Sequence, residues 1–155
     1  MNINPKLDLV VTKTLDITPD KVWKAWTTPE RYGEWFCPKP WKVAQARLDL
    51  RPGGEFYTVI QSPEGDKFPG MGCVLEVVPN KKLVWTNALL PDFRPAGTEG
   101  IVFTAEIHLE ADGNKTKYTA IGRHGNEEGC KQHAEMGFVD GWGICVDQLV
   151  EMMKK

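Results

Sequence analysis

The 155-residue chain has 41% hydrophobic and 26% charged residues, the balance of a globular domain that needs neither disulfides nor a metal to fold. Its 19 basic and 21 acidic residues are spread along the chain and give a net charge of −2, which argues against nucleic-acid binding and against a polybasic membrane anchor. All apolar runs are shorter than the ~18 residues that indicate a membrane span.

The length predicts a single domain over residues 1–155. Residues 1–6 lack the apolar core of an export signal, so we expect a cytoplasmic location. The four cysteines are Cys37, Cys73, Cys130 and Cys145. They form no C-x-x-C spacing, and scattered cysteines in a reducing compartment are mostly small core residues. We therefore expect no metal or cofactor.

The first predicted element is a strand, Leu7–Leu15, which is rich in β-branched residues. Two short helices follow it. Thr18-Pro19-Asp20 starts the first with a capping residue, a proline suited to the first turn, and an acidic residue that complements the helix dipole. Thr28-Pro29-Glu30 repeats this pattern, and the second helix ends near Trp35-Phe36.

Six further strands are predicted from loosely alternating apolar residues between turn signals. They cover Lys42–Leu50, Phe56–Gln61, Met71–Val78, Leu83–Leu89, Ile101–Leu109 and Thr116–His124. The third and fourth of these form a predicted hairpin, and so do the last two. Residues 91–100 contain two prolines and two glycines and are predicted to be a mobile loop.

From Asn126 onward, apolar residues recur every three or four positions. This pattern predicts one unbroken helix, Asn126–Lys154, roughly 40 Å long at 1.5 Å per residue. The fold class is therefore α+β, with a curved seven-stranded antiparallel sheet around one long C-terminal helix and two short helices between the first two strands. Small residues at Ala134, Gly137 and Gly141 either leave room for a cavity beside this helix or allow close packing on the sheet.

Six tryptophans either line an apolar pocket or fill the core. Trp23 and Trp26, on the first helix, are interpreted as core residues, because the apolar face of an amphipathic helix usually packs inward. Trp35 and Phe36 stand at the end of a short helix before a proline-containing loop. That position favours the mouth of a pocket.

Motifs of known catalytic chemistry are missing from the sequence. There is no nucleophile elbow, zinc-protease motif or phosphate-binding loop, and Gly70-Met71-Gly72 lacks the third glycine and the following helix of a dinucleotide site. Glu76 and Glu106 are strand carboxylates that would act as acid or base only if buried in a pocket. His124 and His133 are placed so that they can approach each other or the polar end of a ligand.

Several segments resemble one known family. They are Val22–Glu30 with Trp35-Phe36, the turn Asp49–Gly54, the hairpin Glu76–Val84, and Gly141-Trp142 with Asp147-Gln148-Leu149. Over Leu7–Met153 the chain thus resembles the bacterial proteins related to the activator of the 90-kDa heat-shock protein ATPase, within the START-like helix-grip superfamily.

This resemblance implies the helix-grip fold and a cavity between the sheet and the long helix. Superfamily members bind lipids, hormones or polyketides there, and a few are cyclases or dehydratases. The first hypothesis is therefore a binding protein for a hydrophobic small molecule. The expected contacts are Trp35, Phe36, Phe56, Trp85, His124, Met136, Phe138 and Trp142, with His124 as the polar one.

Two alternatives remain open. One is a protein-interaction module, similar to the co-chaperone, which would show an exposed apolar patch and would bind a chaperone or another protein. The other is an enzyme of the cyclase or hydratase type, which needs a buried ionisable group facing the cavity. The chain is expected to be a monomer or a homodimer, since the edge strands of such a sheet permit pairing.

Overall fold

One antiparallel sheet of seven strands forms the main layer of the molecule. The computed structural model describes residues 2–97 and 99–155. The strands are β1 (Asp8–Leu15), β2 (Lys42–Leu48), β3 (Glu55–Gln61), β4 (Lys67–Val78), β5 (Lys82–Thr86), β8 (Phe103–Asp112) and β9 (Lys115–His124). Their order is β1-β9-β8-β5-β4-β3-β2, so β1 and β2 are the two edges. The predicted α+β class with seven antiparallel strands is confirmed.

The long loop after β5 carries a small ribbon of its own. Leu89–Leu90 (β6) pair with Arg94–Pro95 (β7), and a 3-10 turn, Pro91–Phe93, joins them. The strand predicted to run to Leu89 therefore ends earlier, at Thr86. Part of the predicted mobile loop, residues 91–100, is regular structure, and its residue Thr98 lies outside the described residues.

Alternation along the strands decides which face of the sheet is buried. Ala105, Ile107 and Leu109 of β8 are buried, whereas Glu106 and His108 between them are only half-buried. This is the pattern of an antiparallel sheet with one face on the core. We call the buried side the inner face; the helices pack against it.

Two helices and a 3-10 turn connect β1 to β2: α1 (Pro19–Thr27), the turn Pro29–Arg31, and α2 (Tyr32–Trp35). Pro19 occupies the first turn of α1 as predicted. Thr18 holds the capping position, but its side chain makes no capping hydrogen bond. The buried side of α1 consists of Val22, Ala25 and Trp26.

The C-terminal segment is two helices, so the predicted unbroken helix is wrong. They are α3 (Glu127–Glu135) and α4 (Phe138–Met153). Gly137 separates them because it adopts a left-handed conformation, with φ of 89°, which ends a helix and which glycine tolerates best. Across the described residues, no helix is long and apolar enough to cross a membrane.

The two glycines of this segment have different roles, and neither role matches the sequence interpretation. Gly137 makes the break between the helices. Gly141 lies inside α4, where an added Cβ atom would meet nothing within 4 Å. Neither residue borders the cavity between the sheet and the helices, and an added Cβ atom at either position would contact no atom of the sheet.

These two glycines give a matched test of the break. We expect Gly137→Ala to lower the free energy of unfolding by about 1–2 kcal/mol, because alanine is unfavourable in the left-handed region. Gly141→Ala should raise it by up to about 1 kcal/mol, since alanine is the better helix former and the site is open. Urea denaturation measures both. Changes of the same sign in the two variants would contradict the assigned break.

Candidate functional site

The main cavity of the protein lies between the inner face of the sheet and the helices. Its volume is about 300 Å³, at the lower end of the range for small-molecule sites. Strands β3, β4 and β5 and the start of β8 form one side, and α1, α2 and α4 form the other. The break at Gly137 does not remove this cavity because, of the two C-terminal helices, α4 is the one that borders it, through Trp142 and Cys145.

Half of the residues that border the cavity are aromatic, seven of fourteen. The sheet contributes Phe56, Trp85 and Phe103, and the helical side contributes Trp26, Trp35, Phe36 and Trp142. Phe56 and Trp85 stack in parallel planes, 4.5 Å between ring centroids and 2° apart. Trp142 lies 6.3 Å from Trp85 at an angle of 23°. Three rings from three elements thus lie within a narrow range of orientations.

Five of the eight residues expected to contact a ligand border this cavity: Trp35, Phe36, Phe56, Trp85 and Trp142. Trp35 is a buried part of the wall rather than the mouth of the pocket. Trp26, interpreted from the sequence as a core residue, is buried and also borders the cavity. The two interpretations of the tryptophans are therefore not exclusive, because one indole packs in the core and bounds the empty space.

The other three expected contacts lie elsewhere. Met136 is 75% exposed at the end of α3. Phe138 is buried, but its ring lies over Gly122 and 5.0 Å from Trp142, outside the cavity. His124 pairs with another histidine, as described below. Met136 lies before the left-handed turn at Gly137 and is not part of α4, which begins at Phe138.

Two glycines of β4 provide the empty space, and sequence reasoning missed them. Gly70 is paired with Thr58 and Gly72 with Phe56, so both glycines sit on the same face as those two side chains. A Cβ atom at Gly72 would lie 2.8 Å from the carbonyl oxygen of Thr86, whereas one at Gly70 would have no neighbour closer than 3.9 Å. Glycines at alternate positions of a strand were the available signal, since they leave one face without side chains.

The polar groups at the cavity are few and uncharged. Asn87 is held by two hydrogen bonds: its Nδ2 donates to the carbonyl of Ile101 (2.8 Å), and its Oδ1 accepts from the N–H of Phe103 (2.9 Å). Burial, with a smaller contribution from Cys37, raises the pKa of the Cys145 thiol to about 12. Cys145 is therefore a neutral thiol, and its Sγ donates to the carbonyl of Phe36 at 3.4 Å.

Trp142 also ties α4 to the sheet. Its indole N–H donates to the hydroxyl of Tyr118 on β9 at 2.9 Å. Burial raises the pKa of Tyr118, and the indole N–H groups of Trp142 and Trp26 oppose that rise. The Trp26 N–H nevertheless makes no hydrogen bond of good geometry. The Tyr118 hydroxyl therefore lies near the N–H edges of both indoles, and both indoles border the cavity.

A histidine pair lies next to the cavity but not in it. Nε2 of His124 is 2.8 Å from Nδ1 of His133, as the sequence suggested, and Nδ1 of His124 donates to the carbonyl of Leu7 (2.9 Å). That bond fixes the tautomer of His124, so in the neutral pair His133 donates and His124 accepts. The Phe103 ring lies 4.7 Å from the His133 ring and separates the pair from the cavity.

The two candidate carboxylates do not face the cavity either. Glu76 is exposed and pairs with Lys82 at 2.9 Å. Glu106 is on the opposite face of β8 from the buried residues, where it contacts Arg123 and His108. Burial pushes the pKa of Glu106 upward, but hydrogen bonds from these two partners outweigh it and the pKa is lowered. Neither group is placed for acid–base chemistry in the cavity.

Residues 16–154 match the family model described as "Activator of Hsp90 ATPase homolog 1-like protein". The chain belongs to this family. The resemblance seen in the sequence motifs is thereby confirmed, over 139 of the 155 residues. No curated protein matches the chain.

Solved structures of bacterial proteins share the fold. A crystal structure of a protein from Nitrosomonas europaea is 47% identical, with a TM-score of 0.94 over 98% of this chain and 97% of that one. A protein from Arthrobacter aurescens, solved by NMR, is 22% identical with a TM-score of 0.83 over 99% and 90%. An "AHSA1-like protein" from Aeromonas hydrophila is 16% identical with a TM-score of 0.71 over 96% and 92%. The last two show the fold alone.

Protonation of His133 is expected to destabilise the protein. Burial, and then the nearby His124, lower the pKa of His133 from its ordinary 6.5 to about 4. The unfolded chain therefore binds this proton at a higher pH than the folded protein does. The neutral His133 ring makes its full contribution to the free energy of unfolding above pH 6.5, and this contribution is lost as the pH falls towards 4. Allowing for the partial exposure of the ring, it is about 1–2 kcal/mol, or roughly 2–8 °C in melting temperature.

Thermal unfolding across this pH range tests the assignment. His133→Gln removes the titrating ring and should flatten the dependence of the melting temperature on pH. Gln132→Ala, an exposed neighbour on α3, keeps the pair and should retain the wild-type slope. Equal slopes in the wild type and in His133→Gln would show that the pair is not responsible.

Proposed function

We propose that this protein binds an apolar small molecule in the cavity between the sheet and α4. The observation that carries the proposal is the cavity itself, a space of about 300 Å³ in which seven of the fourteen bordering residues are aromatic. Transfer of apolar surface from water to such a site is favourable by roughly 25 cal/mol per Å². A ligand with two fused or linked rings matches this volume.

The chemistry of the walls supports binding rather than turnover. Among the described residues that border the cavity, none carries a carboxylate, an imidazole or an amine. Its one thiol, Cys145, has a strongly raised pKa. A cyclase or hydratase would need an acid or base at this place, so we do not pursue that alternative.

Filling the cavity from the sheet tests the proposal. N-phenyl-1-naphthylamine, an uncharged two-ring probe whose fluorescence rises in apolar surroundings, should bind the wild-type protein saturably at one site. Gly70→Leu should weaken this binding at least about tenfold, or 1.4 kcal/mol, because its side chain would share the inner face with Thr58 and occupy the space.

Gly97→Leu is the matched control. This glycine is exposed, and a Cβ atom there would meet nothing within 4 Å. The control variant should bind the probe as the wild type does. Far-UV circular dichroism checks that both variants are folded. Undiminished binding by folded Gly70→Leu would place the probe elsewhere and refute the proposal.

A second candidate function, binding of a protein partner, is favoured by one surface feature. Trp41 and Phe68 are 39% and 53% exposed, and their rings lie 5.8 Å apart beside the edge strand β2. Adjacent exposed aromatics of this kind mark many interaction sites. Because the family description refers to an activator of an Hsp90 ATPase, an Hsp90-type ATPase is the partner to test.

The measurement is ATP turnover by such an ATPase with and without this protein. Under this candidate function the wild type raises the turnover, and the double variant Trp41→Ser/Phe68→Ser loses at least half of the effect. Ile144→Ser, which changes an exposed apolar residue on α4, should keep it. If the wild-type protein leaves turnover unchanged, or the double variant stimulates fully, this candidate fails.

A further inference from the structure

We infer that the cavity takes an uncharged, flat aromatic molecule with one hydrogen-bonding substituent, and that the hydroxyl of Thr58 binds that substituent. This inference rests on the proposed function and specifies its ligand. It combines three observations: the orientation of the rings, the absence of charge, and an accessible hydroxyl that makes no hydrogen bond with a described residue.

The orientation of the rings favours a flat ligand. Phe56 and Trp85 are parallel, and Trp142 is tilted only 23° from Trp85. The planes of Trp142 and Trp26 differ by 27°. Aromatic rings prefer offset stacking or edge-to-face contact with one another. A planar molecule can stack on one of these faces and meet the others at a favourable angle, whereas a bulky aliphatic molecule uses the same faces less well.

The electrostatics of the cavity select against a charged ligand. Of the described residues that border it, none is charged. An ionised carboxylate or phosphate would lose its hydration here and find no opposite charge, which is strongly unfavourable. Free fatty acids and organic phosphates are therefore poor candidates. Neutral hydroxyl and carbonyl compounds are not penalised in this way.

Thr58 is the exception among the buried polar side chains. Among the described residues, five polar residues other than tyrosine, tryptophan and cysteine are buried: Thr58, Ser62, Thr86, Thr116 and His124. Ser62, Thr86, Thr116 and His124 each make a side-chain hydrogen bond. Thr58 is only 9% exposed, and its hydroxyl makes none with any described residue. Among the described residues, the fully buried side-chain polar atom without a hydrogen bond is Trp26 Nε1, and the Thr58 oxygen is not buried to that degree. The hydroxyl therefore remains accessible and can form a hydrogen bond with a group in the cavity.

The position of Thr58 directs that hydroxyl to the ligand. Thr58 lies on β3 between Phe56 and Ile60, which share its face and also border the cavity. Opposite it is Gly70, where a Cβ atom would lie 3.9 Å from the Thr58 Oγ1. The missing side chain therefore leaves the hydroxyl accessible from the cavity. Asn87, the other polar residue near the rings, is already bonded to the backbone on both sides of its amide.

Three compounds that share one ring system test the charge and the hydrogen-bonding group of the ligand separately. The compounds are 2-naphthol, 2-methylnaphthalene and 2-naphthoate, which differ only in carrying a hydroxyl, a methyl or a carboxylate group. Titration calorimetry at neutral pH measures their affinities. We expect 2-naphthol to bind best and 2-naphthoate to bind at least about tenfold more weakly than 2-naphthol.

Thr58→Val removes the hydroxyl and keeps the shape of the side chain. This variant should bind 2-naphthol about three- to tenfold more weakly than the wild type, which corresponds to one hydrogen bond. Its affinity for 2-methylnaphthalene should stay within about twofold of the wild-type value, because that compound makes no hydrogen bond. Thr12→Val, an exposed site on β1, is the control and should change neither affinity.

The outcomes separate this inference from the proposed function. If 2-methylnaphthalene binds but Thr58→Val affects both neutral compounds equally, or neither, the anchoring role of Thr58 is refuted while the cavity remains a binding site. If 2-naphthoate binds as tightly as 2-naphthol, the selection for uncharged ligands is refuted. If none of the three compounds nor N-phenyl-1-naphthylamine binds, the proposed function itself fails.

Discussion

The indole of Trp26 is the contact on which the arrangement of this protein depends. Its ring lies 4.8 Å from Trp35, 5.2 Å from Trp85 on the sheet and 6.2 Å from Trp142 on α4. One side chain therefore fixes the distance between the first helix, the second helix, the sheet and the last helix. Two side-chain-to-backbone hydrogen bonds reinforce this arrangement. The Tyr32 hydroxyl donates to the carbonyl of Trp26, and the Trp35 indole N–H donates to the carbonyl of Ala25. Large, rigid rings in edge-to-face, tilted and stacked contact hold the layers together and also set how far apart they stand.

The empty space follows from that spacing together with the glycines of β4. Rings held by several neighbours cannot collapse into a gap, and at Gly70 and Gly72 the sheet offers no side chain to fill it. Interiors are normally packed as densely as organic crystals, and substitutions that fill a void commonly stabilise proteins. A cavity that is retained in spite of this cost, next to a hydroxyl that makes no hydrogen bond with a described residue, is consistent with a site whose remaining contacts come from a bound molecule.

Strand alternation and turn residues were enough to predict the sheet, because each strand has one buried face and the turns carry glycine and proline. The split of the C-terminal segment could not be predicted, since Gly137 and Gly141 differ only in backbone conformation, and both fit the same apolar period. Met136 and Phe138, two of the expected contacts, lie outside the cavity. Trp35, Phe36, Phe56, Trp85 and Trp142 border the cavity, as their expected contact role requires. The contribution of Gly70 was missed because alternate glycines show only that one face of a strand lacks side chains, and the pairing with Thr58 is needed to show that this is the inner face.

The position of β1 at the sheet edge has a consequence for how the chain reaches its native state. This first strand pairs only with β9, through partners such as Asp8 and Arg123, which are 115 residues apart in the sequence. During synthesis β1 leaves the ribosome early but has no partner until nearly the whole domain has followed. Contacts of such long range slow folding, and an unpaired strand is prone to wrong association in the meantime. For this topology the sheet closes as a late, cooperative event, and removal of β1 would leave β9 as an unpaired edge.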